Sequence, residues 1–260
     1  MYQYLDLGNG IRIPMYNLMI GIGIIAGVFV LDWRIKKYAI AFKLEIDLYV
    51  GAVLSLTSGF IGAKTFELFY KKQNITLQNL INGGMTFYGG LIFGAFIFIL
   101  YNIIRKNSIT YTTNILMASV VIAYAFGRIG CFFGGCCFGK PTASFFGIVF
   151  PESSIPHQYY RYSISIYPTQ IFEAVYLFII FIFLVKIITL KNNLIFFLIF
   201  YGIFRFFIEF LRGDDRGELF INILSPSQII SIILVSIGLI LKIFNNTAEV
   251  RSAMHRNRIA

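Results

Sequence analysis

Arg128 lies inside an apolar run that closes in a glycine-rich turn, GRIGCFFGGCCFGKPT at 127–142. A second arginine, Arg205, stands in another apolar run, with Tyr201, Arg205, Glu209 and Arg212 spaced by four, four and three so that they share one helix face. Charges placed in hydrocarbon are costly and pair with something, so each buried arginine marks a candidate site whose partner must be found. Arg205 has a counter-charge one turn away in Glu209. With Glu173 read as a polar residue near the membrane edge, Arg128 is left without one, and an anionic ligand is expected to supply it. A planar guanidinium donates two parallel hydrogen bonds to a phosphate, and a phospholipid head group is the phosphate available at that depth.

The elements that position these groups are membrane spans. The 260 residues are 58% hydrophobic and 13% charged, far more apolar than a soluble domain. Segments long enough to cross a bilayer occur near 15–32, 47–69, 84–104, 114–138, 169–189, 194–211 and 224–244. The fold expected is an all-α membrane protein of seven transmembrane helices, a single domain over 1–260 with one long polar connection at 139–168. The net charge of +10 is assigned to topology and anionic lipid, so no nucleic-acid partner is expected. Arg34, Lys36, Lys37, Lys43, Arg105, Lys106 and the basic tail outweigh the cations of the opposite loops. That bias predicts an outer N-terminus, a cytoplasmic C-terminus and an outer 139–168 loop.

With that orientation, the helical rise puts Arg128 roughly 15 Å, Arg205 about 9 Å and Glu209 about 3 Å below the outer surface. Tyr16, Tyr88, Glu173 and Gln228 fall on first turns of inward-running spans, so all are expected to meet in one polar chamber in the outer half.

Two other patterns point elsewhere. GGCCFGK at 134–140 resembles the front of a nucleotide loop, but Pro141 stands where a magnesium-binding hydroxyl belongs. Cys131, Cys136 and Cys137 lack a fourth cysteine or a nearby histidine, so they are read as buried thiols and no metal is expected. FYGGLIFG at 87–94 places Gly89 and Gly90 at the start of the third span, either for close packing or as a lipid-contacting surface. In YPTQIFE at 167–173, Gln170 and Glu173 are either edge residues or site residues.

Taken in order, the span-one Tyr16, FYGGLIFG, GRIG, FGIVFP, YPTQIFE, YGIFRFFIEFLR and SQIIS resemble the motifs of the prolipoprotein diacylglyceryl transferases, seven-span bacterial inner-membrane enzymes. The resemblance implies transfer of a diacylglyceryl group from phosphatidylglycerol to the lipobox cysteine of a prolipoprotein signal peptide, with no cofactor. By motif, Arg128 and Arg205 hold the donor phosphate, and Tyr16, Tyr201, Glu209 and Arg212 line or gate the same chamber. In the mechanism expected from these residues Glu209 orients Arg205, and Gly89, Gly90, Cys131, Gln170 and Glu173 are further substrate-binding positions. The chain departs from the family where Tyr88 replaces a histidine, Cys131 an asparagine and Cys136 an acidic residue. Tyr88 then stands in the acid/base position with a reference pKa of about 10. The alternatives are a phospholipid-dependent transferase with another acceptor and a non-catalytic lipid-binding or transport relative.

Overall fold

The computed structural model describes residues 3–6, 8, 12–71, 74, 76, 78–79, 86–214 and 224–259, excluding the side chains at 70, 87, 88 and 246–259. A short antiparallel pair, β1 (Tyr4–Asp6) and β2 (Arg12–Pro14), precedes the first long helix. The helices are α1 (Met15–Lys37), α2 (Phe42–Tyr70), α3 (Phe87–Arg105), α4 (Ile109–Gly134), α5 (Ile155–Tyr160), α6 (Thr169–Lys186), α7 (Asn193–Ile208) and α8 (Pro226–Ile259). A second antiparallel pair joins β3 (Ile148–Val149) to β4 (Ser165–Ile166).

Six helices are long and apolar enough to cross a membrane, and the apolar part of α3, Gly89–Arg105, is a shorter seventh. The protein is therefore all-α with about seven spans, because a chain in hydrocarbon must satisfy its backbone hydrogen bonds within each segment. Their outward faces are apolar: Phe29, Phe60, Phe96, Phe207 and Phe244 are all exposed.

The chain forms two compact units, one of Met1–Asp32 with Met117–Ala260 and one of Trp33–Leu116. In the second unit α2 packs on α3 with almost no room between backbones. A Cβ on Gly89 would lie 2.5 Å from the Gly62 carbonyl oxygen and 2.4 Å from Phe66 Cβ. Small residues replace the missing hydrophobic drive between helices in lipid by letting the backbones touch. Two of the cations expected in loops are instead held by the fold. Arg34 is fully buried on an α1 that runs on to Lys37, and its Nη1 donates to the carbonyls of Asn114 and Ile115 at 2.9 and 2.8 Å. Arg105 Nε lies 2.8 Å from Asp47, a 2% exposed carboxylate that also accepts from Tyr101 and Asn107.

In the first unit, Met117, Ala118, Val121 and Ala125 of α4 pack with Leu177, Ile180 and Leu184 of α6 and Tyr201 of α7. This core sits one turn from the polar groups described below. Beyond it the 139–168 connection is ordered around Phe138, Phe150 and Ile166, with Tyr160 and Ile164 against them. Its first residues run between two other strands of chain. Gly139 N donates to Tyr167 O at 3.0 Å, Lys140 N to Leu211 O at 2.8 Å, and Gly213 N to Phe138 O at 3.0 Å.

Candidate functional site

On α4, Tyr124 and Arg128 are one turn apart and share a face, which α6 meets with Glu173 and α7 with Tyr201. Arg128 Nη2 lies 3.0 Å from Glu173 Oε1. The same carboxylate oxygen accepts from Tyr201 Oη at 2.7 Å and from Tyr124 Oη at 3.1 Å. The two phenols are themselves 2.7 Å apart, and Arg128 Nη2 donates to Tyr124 Oη while its guanidinium lies over that ring. Glu173 is 0% and Arg128 7% exposed. An unpaired charge at either place would neutralise or unfold the site, so the pair and its hydroxyls form one unit.

This corrects the charge balance read from the sequence. Glu173 is not a solvated polar residue but the fully buried counter-ion of Arg128. The expectation failed because the position of a helix's first turn along the chain does not say how deep another element buries it: Glu173 is covered by α4 and α7.

The second cluster is built on the end of α7, where the helix tightens into a 3-10 turn at Glu209–Leu211. Arg205 Nη1 lies 2.7 Å from Glu209 Oε2, and Arg205 Nη2 donates to Ser227 Oγ at 2.9 Å. Ser225 Oγ donates to Glu209 Oε1 at 3.0 Å, and Gln228 Oε1 accepts from Ser225 N at 3.0 Å. Arg212, 5% exposed, grips Asp214 through Nε and Nη2, each at 2.9 Å. Each of the three arginines thus faces a carboxylate of its own. Polar capacity remains all the same: Arg128 Nε, Glu173 Oε2 and Gln170 Oε1 are buried without a hydrogen-bond partner among the described residues.

The other residues expected at the site divide between the units. Tyr16 packs its ring along Gly130 and Gly134, beside the Arg128 turn of α4. Gln170 donates to the Cys136 carbonyl at 2.7 Å. Gly89 and Gly90 are taken up in the α2–α3 contact. Tyr88 lies in the first turn of α3, with its side chain outside the described residues. The arrangement also contains residues that the sequence reading passed over: Tyr124, Asp214, Ser225 and Ser227. Tyr124 was accessible to it, because it precedes Arg128 by four on an amphipathic face; the serines carry no comparable signal.

The three cysteines, none of them in a disulfide, converge: their sulfurs lie within 4.8 Å of one another.

Apolar spans enclosing a network of paired arginines define a multi-pass membrane protein with a built polar interior. The chain belongs to the prolipoprotein diacylglyceryl transferase family, whose profile matches residues 3–244. It is 34% identical to the phosphatidylglycerol–prolipoprotein diacylglyceryl transferase of Clostridium tetani over 239 residues, covering 88% of this chain and 92% of that protein. The second such transferase of Clostridium perfringens is 32% identical over 241 residues, covering 89% and 91%. That of Clostridium botulinum strain Langeland is 29% identical over 247 residues, covering 92% of each chain.

Proposed function

We propose that the protein transfers a diacylglyceryl group from phosphatidylglycerol to the lipobox cysteine of a prolipoprotein signal peptide. The observation that carries this reading is the family match over residues 3–244 together with arginines buried at both matched motif positions. In the reaction the acceptor sulfur attacks the glycerol carbon that bears the phosphate ester. The S–C bond forms as the C–O bond breaks, and the electron pair leaves with glycerol phosphate.

Negative charge therefore grows on the phosphate, and fixed donors aimed there supply the largest part of the rate acceleration. Arg128 retains a buried Nε–H for that purpose even with Glu173 in place. Arg205, oriented by Glu209 and Ser227, supports the same oxygen cluster from α7. Tyr88 takes the thiol's proton or positions the thiol. Tyr16, Cys131, Gln170, Tyr201 and Arg212 line the path of the lipid.

The proposal includes the setting: a bacterial inner membrane, a single transmembrane domain, an outer N-terminus and 139–168 loop, and a cytoplasmic C-terminus. Purified protein in phosphatidylglycerol vesicles with a lipobox peptide tests it, read by mass spectrometry of the peptide. A thioether-linked diacylglyceryl adduct is expected. An unmodified peptide, alongside product from a clostridial relative in the same vesicles, overturns the reading.

A further inference from the structure

We propose that Cys131, Cys136 and Cys137 form a binding site for one soft divalent cation of the zinc type, with solvent supplying the fourth ligand. The geometry is that of a ligand set. Zinc–thiolate bonds are about 2.3 Å long, so tetrahedral thiolates stand about 3.8 Å apart. The three sulfurs lie within 4.8 Å of one another. Even an equilateral triangle at that limit has its centre about 2.8 Å from each sulfur, about 0.5 Å beyond bonding distance. A small rotation of each side chain closes that gap.

The backbone is arranged for this convergence. Side chains of adjacent residues ordinarily diverge, yet Cys136 and Cys137 both approach Cys131. The turn that permits it runs through Gly135 at φ +71° and Cys137 itself at φ +64°, the left-handed region that residues with a Cβ seldom adopt. Two fully buried side chains of α6 hold the turn in place: Gln170 donates to the Cys136 carbonyl at 2.7 Å and Thr169 to the Cys137 carbonyl at 2.8 Å. Such outer hydrogen bonds orient ligands before the metal arrives.

The charge count is simple. Binding one divalent cation to the three sulfurs as thiolates sends the displaced thiol protons to solvent and leaves a complex of net charge −1. All three cysteine residues are half-buried rather than sealed in the core. The set differs from the four-ligand structural site that the sequence spacing rules out. Three protein ligands with one open position is the other common zinc arrangement.

The chain contains only these three cysteines, so thiol chemistry reports on the site directly. The full chain, purified in detergent and reduced, is treated with a maleimide with and without Zn²⁺ and weighed intact. Protection of all three thiols by Zn²⁺, reversed by a chelator, is expected. Titration with Cd²⁺ is expected to give an ultraviolet thiolate-to-cadmium band saturating at one ion per chain, reduced by about a third in Cys136→Ser. Labelling unaffected by Zn²⁺, or a cadmium band unchanged in Cys131→Ser, Cys136→Ser and Cys137→Ser alike, overturns the proposal. Should a variant fail to fold, the protection measured on the native chain still decides. Neither readout involves lipid transfer, so failure of this site and failure of the transferase reading are separate results.

Discussion

Arg128 on α4 and Glu173 on α6 meet at 3.0 Å in the interior of the helical bundle, and two tyrosine hydroxyls close over the same carboxylate oxygen. The relationship separates what holds the bundle together from what acts on a substrate. Glu173→Gln leaves a buried guanidinium facing a neutral amide, and a loss of about 3 kcal/mol of stability is expected. Thermal unfolding of the purified protein in detergent measures it. The double variant Arg128→Met/Glu173→Leu is expected to recover most of that stability while giving no lipidated peptide. Turnover by the double variant would remove Arg128 from the chemistry.

Tyr124→Phe removes one hydroxyl from the network while leaving the ring that Arg128 covers. The expected cost is about 1–3 kcal/mol, since both the Glu173 oxygen and the Tyr201 phenol lose a buried partner. Transfer is expected to fall in kcat more than in KM for the lipid, because Arg128 loses orientation rather than charge. An unchanged kcat would confine Tyr124 to packing.

Arg205→Lys keeps the charge and loses the fork that bonds Glu209 and Ser227 together. Turnover is expected to drop about 10²-fold. Ser227→Ala, which removes one of those two contacts, is expected to produce a smaller drop in the same assay. Equal activity in Arg205→Lys and the native chain would show that a point charge suffices there.

Gly89→Ala forces a methyl group to within 2.5 Å of the Gly62 carbonyl oxygen, a backbone atom that cannot swing aside. The α2–α3 pair is expected to separate, with poor recovery of monodisperse protein and rapid proteolysis in detergent. Gly90→Ala meets its nearest atom at 3.2 Å and is expected to be tolerated far better. Normal folding of Gly89→Ala with loss of lipid transfer would instead assign Gly89 to substrate contact.

Asp214→Asn breaks a bidentate pair at a place where Arg212 also lies beside the ordered 139–168 connection. Loss of about 2 kcal/mol is expected, because charge-assisted bonds contribute more than neutral ones and Arg212 is 5% exposed. Hydrogen exchange at Gly139, Lys140 and Gly213 is expected to quicken in this variant. Exchange unchanged at those amides would dissociate the ion pair from the loop's order.

The contrast between Glu209 and Glu173 shows how much of the site was legible. Glu209 stands four residues after Arg205 on one apolar helix, so their pairing follows from the helical repeat alone. Glu173 stands on a different helix from Arg128, and no spacing in the chain announces that contact. Arg34 and Arg105 were misread for a similar reason: near span ends, cations look like loop charges, yet tertiary contacts bury the first against carbonyls and bond the second to Asp47. The cysteines differ again, since their convergence depends on a left-handed residue that the run CFFGGCCFG does not specify.

The amino-acid sequence by itself determined the apolar spans, the arginines within them, the Arg205–Glu209 pair and, through the order of its motifs, the family. Each follows from a local quantity: the run of apolar residues needed to cross hydrocarbon, the 3.6-residue turn, or residue identity at a motif position. Only the tertiary structure decided that Glu173 is the counter-ion of Arg128, that Tyr124 joins them, and that three thiols share one turn. Those depend on which helix faces meet, and that is settled by close packing of whole helices against each other, an interaction spread over many residues that no short stretch of chain encodes.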